Sequence, residues 1–162
     1  MNDPVPARQH ADLLFQQAYT QQMAGNLAEA ILLYHHSLDI YPTAEAHTFL
    51  GWTYSMLGRY DDAIEECRTA IAVDPTFGNP YNDIGAYLIE LDRHREAIEW
   101  LEKAIVAPRY EAPHYPWVNL GRVYEKLGPW SEALRCYRKA LQLAPDYQDA
   151  RRRLDALLAR MN

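Results

Sequence analysis

The chain has 162 residues, which suits one compact domain or one short repeat array. Its 49% hydrophobic and 23% charged residues indicate a folded protein, and a net charge of −6 argues against general nucleic-acid binding. The longest apolar runs span only a few residues, so we expect no membrane insertion. The first ten residues, MNDPVPARQH, show no apolar stretch and therefore no signal peptide. Together with two cysteines at unpaired spacing, this predicts a cytoplasmic location.

Four similar segments follow one another along the chain. The first, LLFQQAYTQQMAGNLAEAILLYHHSLDIYP, is the most divergent, and the other three begin at Ala46, Pro80 and Pro116. These three segments share a Leu or Ile followed by Gly, at Leu50-Gly51, Ile84-Gly85 and Leu120-Gly121. They also share two alanine sites, the first at Ala63, Ala97 and Ala133 and the second at Ala70, Ala104 and Ala140. The spacing is 34 residues from the second to the third segment and 36 from the third to the fourth.

Each segment has the spacing of two amphipathic helices. In the second segment, Leu50, Gly51, Tyr54 and Leu57 follow one helical face, and a glycine at Gly58 separates it from the next helix. Glycine and alanine at fixed sites let two helices approach closely. One such hairpin cannot bury both of its faces, whereas a stack of them buries a continuous core.

These residues resemble the tetratricopeptide repeat, a 34-residue unit of two antiparallel helices ending in a proline. The resemblance implies an all-α fold, a right-handed superhelical α-solenoid, as a single domain over residues 1–162. Its predicted parts are repeats at about 11–43, 44–77, 78–113 and 114–147, a lengthened loop at 108–115, and an amphipathic capping helix at 148–161. We therefore expect nine helices and no strands.

Sites that differ between the repeats are free to specialise, and in this family the variable face of the first helices lines a concave groove for a peptide or a partner helix. That face begins aromatic, becomes polar and ends basic. The predicted groove residues are Phe15, Tyr19, Phe49, Trp52, Met56, Asn82, Asn119, Arg122, Arg152 and Arg153. We expect Trp52 to anchor an apolar side chain, and the asparagines to hold a ligand backbone.

The charge distribution extends this expectation to the partner. Residues 1–113 hold 7 Lys/Arg against 17 Asp/Glu, whereas residues 114–162 hold 9 against 5. The basic end, with Arg122, Arg152 and Arg153, is predicted to pair with an acidic group of the partner. The alternative is that both ends are ordinary solvated surface.

The sequence predicts no catalysis and no cofactor. The paired carboxylates Asp61-Asp62 and Glu65-Glu66 are typical of a solvated helix face. His35-His36 is the one suggestion of a metal site, but adjacent histidines on a helix point about 100° apart. Cys67 and Cys136 are expected to be core thiols. We therefore predict a non-catalytic interaction scaffold, with a self-associating homo-oligomer as the alternative and a metal-dependent enzyme as the weakest reading.

The stretch VAPRYEAPHYPWVNLG contains the two extra residues of the lengthened turn. Because the repeat resumes beyond it with the same core face, it is not a domain boundary. A plain surface loop is the favoured interpretation, and contact of Tyr110 or His114 with a ligand is the alternative.

Overall fold

The computed structural model describes residues 5–162. This part of the chain forms nine α-helices and no strand, which confirms the expected all-α repeat solenoid. The helices are α1 (Val5–Met23), α2 (Leu27–Ile40), α3 (Ala44–Met56), α4 (Tyr60–Val73), α5 (Asn79–Glu90), α6 (His94–Val106), α7 (His114–Leu127), α8 (Trp130–Leu143) and α9 (Gln148–Met161).

The helices pack in sequence order as hairpins. α1 packs on α2, α3 on α4, α5 on α6 and α7 on α8, while α9 packs on α8. The odd-numbered helices also contact one another, α1 with α3, α3 with α5 and α5 with α7, so they form one continuous face. Gly58 and Asp92 close equivalent turns with φ of +72° and +58°, a conformation that glycine and aspartate tolerate best.

The shared glycines lie where the two helices of a unit meet. A Cβ on Gly51 would come 2.9 Å from the carbonyl oxygen of Ala63, and one on Gly85 or Gly121 would collide with a side chain of the paired helix. The alanines of the first recurrent site, Ala63 among them, are fully buried. Small residues therefore set the distance between helices, as the repeat pattern predicts.

Both cysteines are fully buried and free, as expected for core thiols. Burial raises the pKa of the Cys136 thiol to about 11 and raises that of Cys67 as well, so neither is a reactive thiolate at neutral pH. Both histidines of the His35-His36 pair are exposed, and the His35 ring lies 3.3 Å from the Tyr54 hydroxyl.

In the described residues, none of the helices combines the length and the apolar character needed to cross a membrane. The predicted absence of a signal peptide concerns the first ten residues, and residues 1–4 lie outside the described part of the chain.

The lengthened segment at 108–115 is anchored to the turn before α5. Phe77 and Arg109 form a parallel bridge, in which the Gly78 N–H donates to the Arg109 carbonyl at 2.9 Å. The Arg109 guanidinium also contacts Glu45 at 2.9 Å and Asp74 at 2.7 Å, and it lies over the Phe77 ring. Side chains of the preceding repeat, residues 44–77, thus hold this segment in place.

Candidate peptide-binding groove

An aromatic cluster begins the face formed by the odd-numbered helices. Phe49 of α3 is its centre, with ring centroids of Phe15, Tyr19 and Trp52 between 5.2 and 5.7 Å away in edge-to-face geometry. Phe15 and Phe49 are half-buried, whereas Tyr19 and Trp52 are each 37% exposed. Edge-to-face pairs hold the rings rigidly, so the exposed ring of Trp52 is a pre-organised apolar surface.

Met56 extends this surface toward the end of α3. Its side chain is 46% exposed, and its sulfur lies 3.5 Å from the amide nitrogen of the fully buried Gln22. The Gln22 amide oxygen accepts from the Tyr34 hydroxyl at 2.7 Å. A partly buried polar contact between Gln22 and Met56 therefore joins the first two units.

A pocket of about 500 Å³, which we call the central pocket, opens beside Trp52. The residues that α3 contributes are Thr48, Phe49, Trp52 and Ser55. The residues that α5 contributes are Asn79, Asn82, Asp83, Ala86, Tyr87 and Glu90. Tyr60, Tyr110 and Tyr115 complete the wall. Six of the thirteen lining residues are aromatic, and α5 adds amide and carboxylate groups on one side.

Asp83 has the most perturbed carboxyl group in the groove. It is half-buried, and burial raises its pKa to about 7, although Asn82 opposes this by hydrogen bonding. No cation contributes to the pKa of this group. Burial thus brings the pKa of a carboxyl group in the central pocket toward neutrality.

The lengthened segment supplies a wall of the central pocket. Gly78 packs directly on Tyr110, and a Cβ at Gly78 would come 2.5 Å from the Tyr110 Cβ. Burial raises the pKa of Tyr110, and the negative charge of Asp83 raises it further. Tyr115 is 42% exposed, and its ring stands perpendicular to that of Tyr147, 5.4 Å between centroids. Tyr110 and Tyr115 of the segment thus line the central pocket.

The two predicted asparagines contact each other. The Asn119 amide donates to the Asn82 oxygen at 3.0 Å, and Arg122 donates to the Asn119 oxygen at 3.2 Å. Arg122 also contacts Glu90 at 2.8 Å. This chain of polar contacts links α5 to α7, so much of the hydrogen-bonding capacity predicted for a ligand is used between repeats.

The predicted arginines of α9 are also paired. Arg153 contacts Asp149 at 2.8 Å, and Arg152 lies 3.5 Å from the same carboxylate. Arg153 shares a second depression, of about 350 Å³, with Arg122, Lys126, Arg160 and Glu125. The predicted groove residues thus fall into two places, an aromatic cluster and pocket at α1, α3 and α5 and a basic region at α7 and α9.

Of the residues that line the central pocket, only Phe49, Trp52 and Asn82 were predicted as groove residues; Tyr110, Glu90 and Asp83 are three of those that the sequence reasoning missed. Tyr110 lies in a segment that was interpreted as a surface loop. Glu90 lies one helical turn after Ala86, at the site that Met56 occupies in the second unit. Asp83 has a signal in the repeat itself, because it occupies the site of Phe49 in the second unit and Asn119 in the fourth. A carboxylate at a site that is otherwise aromatic or amide marks a specialised unit.

Comparison with known proteins identifies the family. Three family models described as tetratricopeptide repeat match residues 44–77, 79–105 and 114–147, together more than half of the chain. The chain belongs to the tetratricopeptide-repeat family.

Two curated relatives and one solved structure show the extent of the similarity. Type IV pilus assembly protein PilF of Pseudomonas aeruginosa is 29% identical over 120 residues, 74% of this chain and 48% of that protein. Small glutamine-rich tetratricopeptide repeat-containing protein 2 of Mycosarcoma maydis is 28% identical over 83 residues, 51% of this chain and 24% of that protein. A solved structure of Pseudomonas aeruginosa PilF has a TM-score of 0.87 at 26% identity, covering 95% of this chain and 70% of that chain. The chain spans less than half the length of these curated relatives.

Proposed function

We propose that this tetratricopeptide-repeat protein is a non-catalytic scaffold that binds a peptide or a partner helix along the face of its odd-numbered helices. The observation that carries the proposal is the central pocket, where the rigid and exposed Trp52 borders a cavity of about 500 Å³. Large aromatic side chains at a concave surface are the common anchors of protein interfaces.

The relatives support the general role. The name of PilF assigns that protein to pilus assembly. The tetratricopeptide repeat that the two proteins share is a scaffold for interactions between proteins. This similarity supports protein binding as the function of the present chain.

The structure gives more support to an apolar anchor at Trp52 than to an acidic partner group at the basic end. Trp52 has an open cavity beside it, so an apolar side chain would bury both surfaces. Arg122 and Arg153 each contact a carboxylate of the chain, so an acidic group of a partner would have to compete with Glu90 and Asp149. The groove proposal therefore rests on the aromatic end.

Selection from a random-peptide library tests the groove. Peptides are selected on the wild-type protein, and their affinities are compared with those for Ala86→Phe, which fills the central pocket, and for Trp52→Ala. Truncation of an anchor of this kind typically costs ~2 kcal/mol, roughly 30-fold in affinity. Leu32→Ala is the matched control, because Leu32 is 56% exposed on α2, outside the pocket. Peptides that bind all four proteins alike would refute the proposal.

Self-association through α1 is the second candidate. Leu13, Tyr19 and Met23 of this helix are exposed by 63%, 37% and 58%, an apolar surface on an end unit. Light scattering over a range of protein concentrations tests it, and a monomer at every concentration would exclude a stable dimer.

A further inference from the structure

The central pocket owes its space to a small residue. Ala86 lies 34 residues after Trp52 and 36 residues before Arg122, at the same site of successive units. With large side chains on both sides and only a methyl group between them, the face has a gap at the third unit. The pocket lies at this gap.

The chemistry around the gap combines π faces with negative charge. Trp52, Tyr110 and Tyr115 form aromatic walls, and Asp83 and Glu90 bring carboxylates to the α5 side. Glu90 already has a cationic partner in Arg122 at 2.8 Å. Asp83 has no cationic partner. Its pKa is raised by burial and lowered by a hydrogen bond with the Asn82 side chain. The pocket thus contains one carboxylate without a counter-charge.

We propose that the central pocket binds a positively charged side chain of a partner peptide, a lysine ammonium or an arginine guanidinium, with the Asp83 carboxylate as its counter-charge and the aromatic rings as its walls. The inference rests on the proposed groove and specifies the chemistry of its ligand. Aromatic walls with a carboxylate are the arrangement that attracts a cation most strongly, through the ring quadrupole and the direct charge.

The charge of the surrounding half of the solenoid is negative, like that of the Asp83 carboxylate. Residues 1–113, which include all of the pocket except Tyr115, carry 7 Lys/Arg against 17 Asp/Glu. A basic peptide would be attracted to this half of the solenoid before contact, and an acidic one repelled. The charge of the region and the charge inside the pocket therefore select the same class of ligand.

Binding of a cation would be coupled to the ionisation of Asp83. The titratable groups that face it are Cys67 on α4, Tyr87 and Glu90 on α5, Tyr110 of the lengthened segment, and Tyr60 and Tyr115 at the rim. Burial raises the pKa of Cys67, Tyr87 and Tyr110, so these stay neutral around pH 7 while Asp83 titrates. A bound cation would stabilise the carboxylate and release a proton near neutral pH.

Small probes test the charge preference without a known partner. n-Butylammonium and n-propylguanidinium mimic the ends of lysine and arginine, n-pentanol is a neutral probe of similar length, and pentanoate is the anion. Affinities are taken from the indole N–H resonance of Trp52, assigned with Trp52→Phe. At about pH 8 we expect the cations to bind roughly tenfold more tightly than pentanol, and pentanoate more weakly than both.

Asp83→Asn separates the charge from the shape. In this variant the preference for cations over pentanol should fall to within about twofold, whereas Asp39→Asn, at an exposed site on α2, should leave it unchanged. At about pH 5, where Asp83 is protonated, the wild-type protein should lose the preference too. Calorimetry at about pH 7 in buffers of different ionisation enthalpy should show net release of protons when a cation binds.

The outcomes distinguish this inference from the groove itself. Equal affinity for pentanol and the cations, unchanged by Asp83→Asn, would overturn the cation site and leave an apolar groove intact. Tighter binding of pentanoate, or no shift of the Trp52 resonance with either cation, would also overturn it. Failure of the groove proposal would appear separately, as library peptides insensitive to Ala86→Phe.

Discussion

The central pocket and the C-terminal end of the solenoid use charged side chains in opposite ways. At the C-terminal end, Arg160 contacts Glu125 at 3.1 Å and Arg153 contacts Asp149 at 2.8 Å. In the central pocket, Asp83 has no cationic partner. These arginines at the C-terminal end are thus paired within the chain, whereas the central pocket keeps one carboxylate without a counter-charge.

The difference has an energetic meaning. A paired charge inside the chain helps to join one helix to the next, and a ligand must displace that partner before it gains anything. A carboxylate held in a desolvated pocket without a counter-charge costs stability, and such groups concentrate at functional sites. Stability measurements on single variants can therefore separate the two kinds of charge.

The largest effect that we expect is a gain of stability from Asp83→Asn. Burial raises the pKa of Asp83 in the folded protein to about 7, from an ordinary value of 3.8. The folded state therefore binds a proton more tightly between these values, and stability falls as the pH rises through this window. Removing the charge should raise the free energy of unfolding by about 2 kcal/mol at pH 8 and change it little near pH 4.

Urea denaturation at both pH values measures this change. Asp149→Asn is the matched control at the paired end, and it should lower stability at pH 8, since it leaves Arg153 without its carboxylate. A loss of stability in Asp83→Asn at pH 8 would contradict the contrast between the two regions.

Glu125→Ala should cause the next largest change, a loss of about 1–2 kcal/mol. Glu125 accepts a hydrogen bond from the hydroxyl of the fully buried Tyr137 and contacts Arg160 of α9. Its removal leaves a buried hydroxyl without its acceptor and loosens the last helix. Thermal unfolding measures the loss, with Glu132→Ala as control, because Glu132 makes only an exposed pair with Arg135. An equal effect of the two variants would mean that the paired end is not structural.

The repeat architecture was predictable from the sequence because it depends on local spacing. The glycine and alanine sites recur every 34 to 36 residues, and each reports a close contact within its own hairpin. The aromatic end of the groove was predictable for the same reason, since Phe49 and Trp52 lie on one face of one helix. Neither prediction required knowledge of contacts between distant segments.

The state of the charged groups was not predictable because it depends on distant partners. Arg109 contacts Glu45, 64 residues earlier, and this contact brings Tyr110 to the central pocket. Asp83 is perturbed by burial among such neighbours, which its own helix does not reveal. Likewise, the sequence around Arg122 shows no partner for it, but in the structure Arg122 contacts Glu90 across the interface between two units.

Arg109→Ala should have a moderate effect that is confined to the central pocket. The variant breaks the contacts to Glu45 and Asp74 and frees the segment that carries Tyr110. We expect cation probes to bind about threefold more weakly, consistent with partial loss of one aromatic wall. The same titration on Arg138→Ala, an exposed residue of α8, is the control. Unchanged affinity would show that Tyr110 does not contribute to binding.

The same variant should shift the titration of Asp74. Hydrogen bonds from Thr76 and then from Arg109 lower the pKa of Asp74 to about 2. The stability that the Asp74 carboxylate contributes is therefore fully present above the pKa that this group has in the unfolded chain, and it is lost as the pH falls toward 2. Without Arg109 the pKa of Asp74 should rise but stay below its ordinary value of 3.8, because Thr76 still donates. Carboxyl NMR titration measures it, and an unchanged pKa would mean that the guanidinium does not hold the segment.

Arg152→Ala should have the smallest effect, less than about 0.5 kcal/mol in unfolding free energy. Its side chain is 75% exposed, and its distance of 3.5 Å to Asp149 is long for an ion pair. Because it is the least neutralised of the predicted arginines, it is also the one best able to receive an acidic ligand group. Titration of the variant and the wild type with a carboxylate-terminated peptide decides this, with Arg151→Ala as the neighbouring exposed control. A loss of affinity specific to Arg152→Ala would restore the acidic partner predicted from the basic end, and would place a second charge-selective site on α9.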